Sequence, residues 1–201
     1  MSASEPPRRP PRRRGLHRLI IRRDDHVGDP IGIVWLAPAE TSGDVIIERL
    51  RDYLGHRVKV AKAEISRDRI EVELECRGWP EEGSRLAAAA RDLFNKGARK
   101  NALSMCREAL ELDPLNADAM ATLGLILAAM SRDREALDAL KHAREFGAGE
   151  IEVMLAMMQC AQRLGRATAA AHYAEEALRL EPRNLTARRA LKDIRQSSSK
   201  P

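Results

Sequence analysis

The stretch Glu108-Ala-Leu-Glu-Leu-Asp-Pro114-Leu-Asn116 returns almost unchanged as Glu176-Ala-Leu-Arg-Leu-Glu-Pro182-Arg-Asn184. The two prolines are 182 − 114 = 68 residues apart, twice 34. Stepping outward by 34 finds the copy between them. Ala102 leads to Ala136 and Ala170, Ala109 to Ala143 and Ala177, Leu86 to Met120 and Met154, and Leu112 to Phe146 and Leu180. Gly97 leads to Ser131 and Gly165, a break between two apolar-periodic stretches in every copy. The second stretch ends at Pro114 and Pro182, and in the middle copy at Gly147-Ala-Gly149. Glycine commonly follows a helix and proline cannot continue one. Each copy therefore predicts two antiparallel helices, with the alanines where the pair must approach closely. A fixed period of this length marks units that bury a face only by stacking on neighbours.

These residues resemble the tetratricopeptide repeat family, whose pattern runs large apolar, Leu-Gly, aromatic, Ala, aromatic, Ala, Pro. The second copy is the best match, with Met120, Leu123, Gly124, Leu127, Ala136, Leu140 and Ala143. The first offers Leu86, Ala89, Ala90, Leu93, Ala102, Cys106, Ala109 and Pro114. The third offers Met154, Met157, Met158, Ala161, Ala170, Ala174, Ala177 and Pro182. Leu, Met, Cys and Ala replace the family's large aromatics, and Met158 falls on a small-residue slot. The resemblance covers about residues 83–184, and the basic stretch from Leu185 to Gln196 follows as a capping helix with Leu185, Leu191 and Ile194 on its apolar side.

Residues 16–80 have another rhythm. Ile70, Val72, Leu74 and Cys76 alternate with Glu71, Glu73 and Glu75, the period of a half-buried strand. Val58 to Ile65 reads as its partner, with a bulge near Ala61 and a turn at Ser66 to Arg69. Leu16–Ile21 and Ile31–Leu36 read as two further strands. A helix between Thr41 and Gly55 opens with a capping box at Thr41 and Asp44. The fold class expected is an α+β module, strand-strand-helix-strand-strand over 16–80, followed by an all-α solenoid over 83–196. Pro80-Glu-Glu-Gly83 reads as the boundary between them. By topology alone, the strand–helix–hairpin part is similar to the small ring-building modules of bacterial secretion systems. Residues 1–15 read as a disordered Pro/Arg-rich arm and 197–201 as a frayed tail.

The net charge of +5 hides a segregation. Residues 1–23 carry eight Arg against one Glu, whereas 24–83 carry eight Lys and Arg against 14 Asp and Glu. The arm residues Arg8, Arg9, Arg12, Arg13 and Arg14 suit weak, salt-sensitive contact with nucleic acid or an anionic membrane. Aromatics at 3% leave no rings for an RNA-stacking sheet. No apolar run approaches the ~20 residues of a membrane helix. The N-terminus lacks the apolar core of a secretory signal, and its prolines break a presequence helix. Three separated cysteines form neither a disulfide framework nor a zinc pattern, which points to a reducing, cytoplasmic setting. Arg outnumbers Lys 28 to 7, a bias expected of a GC-rich bacterial genome.

Catalytic signals are sparse. Asp24-Asp25-His26 is the densest set of ligand-type residues, with His56 the next His, and it reads as a solvated turn. Cys106 sits on a core slot, His142 and His172 do not share a repeat position, and no phosphate-cradling glycine loop is present. The expectation is no enzyme, no metal and no cofactor. The family resemblance implies a concave groove lined by the first helix of each pair. Its positions here are Ala87, Arg91, Phe94 and Asn95, then Ala121, Leu125, Ala128 and Ala129, then Leu155, Gln159, Gln162 and Arg163, with Arg189 on the cap. The Lys/Asn clamp that grips a C-terminal carboxylate in some family members is absent. Such a groove implies an adaptor for a protein partner, a peptide or an amphipathic helix, within a bacterial assembly or secretion system. Leu125 and Leu155 have a second reading as core, or as surface covered by the chain's own N-terminal region. Pairing with a second copy is also open.

Overall fold

The alternation read around Val72 becomes the centre of a sheet. The computed structural model describes residues 13–22, 58–65 and 69–198. Strand β1 (Arg13–Arg22), β2 (Val58–Ile65) and β3 (Arg69–Gly78) form an antiparallel sheet in the order β1-β3-β2. Val72 and Leu74 are fully buried, as are Val58, Val60 and Cys76 to within a few per cent. Glu73, Lys59 and Lys62 face outward. The register skips between Val60 and Lys62, so the bulge sits at Ala61. Strand β1 is longer than Leu16–Ile21 and takes in Arg13, Arg14 and Gly15, which the sequence placed in the disordered arm. In register, Arg18 is paired with Glu73, and Lys62 is paired with the same residue from the other side. The strand expected at Ile31–Leu36, the helix from Thr41 to Gly55 and the turn centre at 66–68 lie outside the described residues.

Seven helices follow among the described residues. They are α1 (Pro80–Asn95), α2 (Arg99–Leu112), α3 (Ala117–Ala129), α4 (Asp133–Glu145), α5 (Ile151–Arg163), α6 (Ala167–Leu180) and α7 (Leu185–Ser198). Helix α1 begins at Pro80, the first residue of the stretch read as the boundary and three residues before the expected start of the solenoid. Pro80 stands at the helix start, where its missing N–H costs nothing, and Glu81 and Glu82 oppose the positive end of the helix. Only Trp79 separates sheet from helix, and its N–H donates to the Leu112 carbonyl at 3.0 Å. At Gly78 a β-carbon would lie 2.1 Å from that same carbonyl oxygen, so the strand reaches the α2 terminus only through glycine.

The pairs α1/α2, α3/α4 and α5/α6 repeat one turn. Gly97, Ser131 and Gly165, spaced by 34, have φ of +80°, +59° and +70°. In each turn the next residue donates five positions back, Ala98 to Leu93, Arg132 to Leu127 and Arg166 to Ala161, closing the helix end. All six facing alanines, Ala102, Ala109, Ala136, Ala143, Ala170 and Ala177, are fully buried. Where Met158 occupies the small slot, the partner position shrinks to Ala174. Gly124 instead faces Leu140, whose Cγ would lie 2.5 Å from a β-carbon at residue 124. The corresponding first-copy residues are Ala90 and Cys106, both fully buried. Bulk is thus exchanged between the two helices while the space between them stays filled.

Asn116 and Asn184 cap α3 and α7 alike. Their Oδ1 atoms accept from Ala119 at 2.9 Å and Ala187 at 3.0 Å. Helix α7 closes the array by burying Ala187 and Ala190, with Leu191 and Ile194 half-buried. Leu185, read from sequence as part of that apolar side, is 65% exposed because it precedes the first contact turn.

Two substitutions test this frame. Gly78→Ala forces a backbone–backbone clash and is expected to destabilise by about 1–3 kcal/mol. Ser131→Gly relieves a left-handed residue and is expected to stabilise by about 0.5–1 kcal/mol. Thermal unfolding followed by circular dichroism checks both, at roughly 2–4 °C per kcal/mol for a chain of this size.

Candidate functional site: the concave face of the helical array

The first helix of each pair carries a stripe spaced by three and four residues, the spacing that keeps side chains on one helix face. On α1 it includes Ala87, Ala88, Arg91, Phe94 and Asn95, on α3 Asp118, Ala121, Thr122, Leu125, Ala128 and Ala129, and on α5 Glu152, Leu155, Gln159, Gln162 and Arg163. Arg91 shows that these stripes converge. Its guanidinium reaches from α1 across to α5 and donates to Glu150 at 2.9 Å and Glu152 at 2.8 Å.

That bridge depends on a departure from the repeat. Residue 150 stands 34 after Asn116 and 34 before Asn184, so it occupies the N-cap position of α5. Glu150 makes no side-chain cap bond, and its carboxylate meets Arg91 instead. Upstream, α4 ends in a left-handed Gly147 with Ala148 donating to Ala143, without the proline of the other copies. Asp118 and Glu152 share one repeat position in the first turns of α3 and α5, where helix N-termini favour anions.

Below the bridge lies a pocket of about 230 Å³. Its walls are Ala87, Ala88 and Ala121, and its polar lining is Arg91, Asp118, Thr122 and Glu150. Asp118 is exposed and has no ion-pair partner among the described residues. Thr122 is 2% exposed.

The thirteen groove positions carried over from the family divide three ways. Ala87, Ala121 and Leu125 are buried, with Leu125 inside the main apolar cluster at 6% exposure. Phe94, Ala128 and Leu155 are half-buried and pack on that cluster, leaving an apolar edge open. Asn95, Ala129, Gln159, Gln162, Arg163 and Arg189 are exposed. Two of the three groove arginines are engaged. Arg91 is half-buried in its bridge. Arg163 donates to Asp133 at 2.6 and 2.9 Å and to the Ala128 carbonyl at 3.2 Å, fastening α5 to the α3–α4 turn. That guanidinium holds the Asp133 carboxyl below its ordinary range.

Sequence reasoning missed Asp118, Thr122, Glu150 and Glu152. The available signal was the loss of Asn at position 150 and the 118–122–125–129 spacing on α3. Buried thiols Cys106 and Cys160 are pushed up to about 11 by desolvation, which leaves them protonated and unreactive at neutral pH. Burial lowers the His142 pKa. His172 stacks at a tilt on Tyr173, with ring centroids 5.7 Å apart. Among the described residues no His, Cys, Asp and Glu group has metal-binding geometry, and no helix is long and apolar enough to cross a membrane. Asp24, Asp25, His26 and His56, and arm residues Arg8, Arg9 and Arg12, lie outside the described residues. Arg13 and Arg14 belong to β1.

No protein-family model matches the sequence, and no curated protein matches it either. Solved structures do. The TPR domain of Arabidopsis OM64 superposes with a TM-score of 0.55 at 22% identity, over 59% of this chain and 98% of that one. The first TPR of Spaghetti (RPAP3), bound to an HSP90 peptide, gives a TM-score of 0.56 at 17% identity over 60% and 96%. The Yersinia enterocolitica type III secretion chaperone SycD, in complex with a peptide of the translocator YopD, gives 0.52 at 15% over 58% and 94%. The paired helices with their 34-residue turns and alanine contacts therefore have the tetratricopeptide-repeat fold, preceded by an antiparallel sheet.

Proposed function

We propose that this chain is a non-enzymatic adaptor that receives a peptide or helix of a protein partner on the concave face of its repeats. The observation that carries the reading is that Phe94, Ala128 and Leu155, on the first helices of the three pairs, are apolar and only half-buried, with exposed Asn95, Gln159 and Gln162 on the same helices. An apolar strip edged by neutral amides suits a segment that buries alternate side chains and bonds its backbone at the rim. The work is done by shape and desolvation, with no bond made or broken. Neighbours of the same fold hold peptides, namely an HSP90 peptide and a translocator peptide. The proposal extends to a bacterial, cytoplasmic setting in an assembly or secretion system, supported by the arginine bias and by the secretion chaperones among the structural neighbours.

The test must spare Leu125, where an arginine would enter the core. Peptides selected on the intact chain from a display library are measured against Leu155→Arg and Ala128→Arg. Each variant is expected to weaken binding at least about tenfold, or 1.4 kcal/mol, with the circular dichroism spectrum unchanged. Unchanged affinity in both variants sinks the groove assignment. Binding that ignores them, vanishes with salt and needs Arg8, Arg9, Arg12, Arg13 and Arg14 moves the function to the N-terminal arm.

A further inference from the structure

We infer that the open side of the capping helix α7 is a second docking site, a seat for an amphipathic partner helix whose apolar stripe is flanked by acidic residues. The inference uses none of the concave-groove positions and stands apart from the groove reading.

The repeat period identifies the seat. In the third pair, Met154, Met157, Met158 and Ala161 of α5 are all buried. The same slots in α3 include Gly124, against which Leu140 of the second helix packs. These are therefore the slots that receive the second helix of a pair. A step of 34 residues carries them to Arg188, Leu191, Lys192 and Arg195 of α7. No second helix covers them among the described residues, and the three cationic side chains are exposed. What remains is a cavity of about 420 Å³ between α6 and α7, lined by these four residues with Leu178 and Gln196. Leu178 and Leu191 are half-buried and pack on the main apolar cluster, so the floor of the cavity is apolar. Open helix-packing slots over an apolar floor suit a helix laid along α7.

Charge selects which helix. Shielding the end of an array requires only polar side chains, of either sign. Here three of the four slots hold a cation and none holds an anion. Arg195 meets Glu175 at 3.4 Å, Arg188 donates to the Pro182 carbonyl at 2.6 Å, and Lys192 has no ion-pair partner among the described residues. Spacings of four and three set Arg188, Lys192 and Arg195 along one edge of the helix, beside Leu191. A partner helix that lays apolar side chains on Leu178 and Leu191 brings carboxylates on its flanks to that edge. Phosphates would meet the same cations but gain nothing from the apolar floor.

The probe is a capped, Ala-rich peptide of 14 residues, the length of α7, with Leu at every third or fourth position and Glu on both flanks. Its comparators are the Gln-for-Glu peptide, which keeps the helix propensity, and a scrambled peptide of equal composition. Each is titrated into the isotope-labelled full chain at low and at high salt, with backbone amide shifts as readout. The Glu peptide is expected to bind saturably with shifts over residues 188–196. The Gln and scrambled peptides are expected to bind at least about fivefold more weakly. Lys192→Glu and Arg188→Glu, both at exposed positions, are expected to weaken the Glu peptide to a similar degree with the circular dichroism spectrum unchanged. Leu155→Arg, in the concave groove, is expected to leave this binding unaltered. Absence of saturable binding overturns the inference, as does equal affinity for the scrambled peptide. Loss of binding in Leu155→Arg but not in the α7 variants overturns it too, and assigns the peptide to the concave groove. A single-stranded DNA oligomer or a phosphatidylserine vesicle that engages residues 188–196 more tightly than the peptide overturns it in favour of phosphate recognition. A chain that is dimeric until Lys192→Glu separates it overturns it in favour of a second copy.

Discussion

Everything in the helical array depends on how closely the two helices of a pair can approach. Six alanines on a 34-residue spacing, all fully buried, hold that distance constant. At the slot that runs Ala90, Gly124, Met158, the change in bulk is balanced within the pair, as Gly124 with Leu140 and Met158 with Ala174. Interiors packed near crystal density tolerate such an exchange because total volume is conserved, whereas a one-sided change opens a void or forces a clash. A constant step between pairs lets the array curve regularly. That curvature brings α1 within one side chain's length of α5, which Arg91 demonstrates by reaching Glu150 and Glu152.

The site arises where the repeat is broken. Asn116 and Asn184 each cap their own helix N-terminus through Oδ1. Glu150, at the equivalent place, turns its carboxylate to another helix. The middle junction also closes with a left-handed glycine in place of proline, so α4 needs no help from the following cap. With Asp118 and Glu152 in the first turns of their helices, this end of the concave face is acidic.

The sheet joins the first repeat without a flexible joint. Strand β3 runs through Gly78 and Trp79 directly into α1, and the Trp79 N–H saturates the last carbonyl of α2. A helix C-terminus leaves carbonyls without intrahelical partners, and a neighbouring backbone donor satisfies one of them. Strand β3 is thereby tied to the first helix pair by the backbone of both.

By itself the sequence determined the helix pairs, their turns, the alanine contacts, the capping helix and the alternation of β2 and β3, bulge included. Those features are local or strictly periodic, so spacing alone reveals them. Tertiary structure decided what spacing cannot carry. It sent Leu125 into the core and Leu185 out to solvent, since both sit on apolar stripes and only the neighbours differ. It drew β1 out to Arg13, because pairing with β3 satisfies backbone groups that composition assigns to a loose arm. It placed Arg91 against residues about sixty positions away, an encounter governed by the curvature of the stacked pairs.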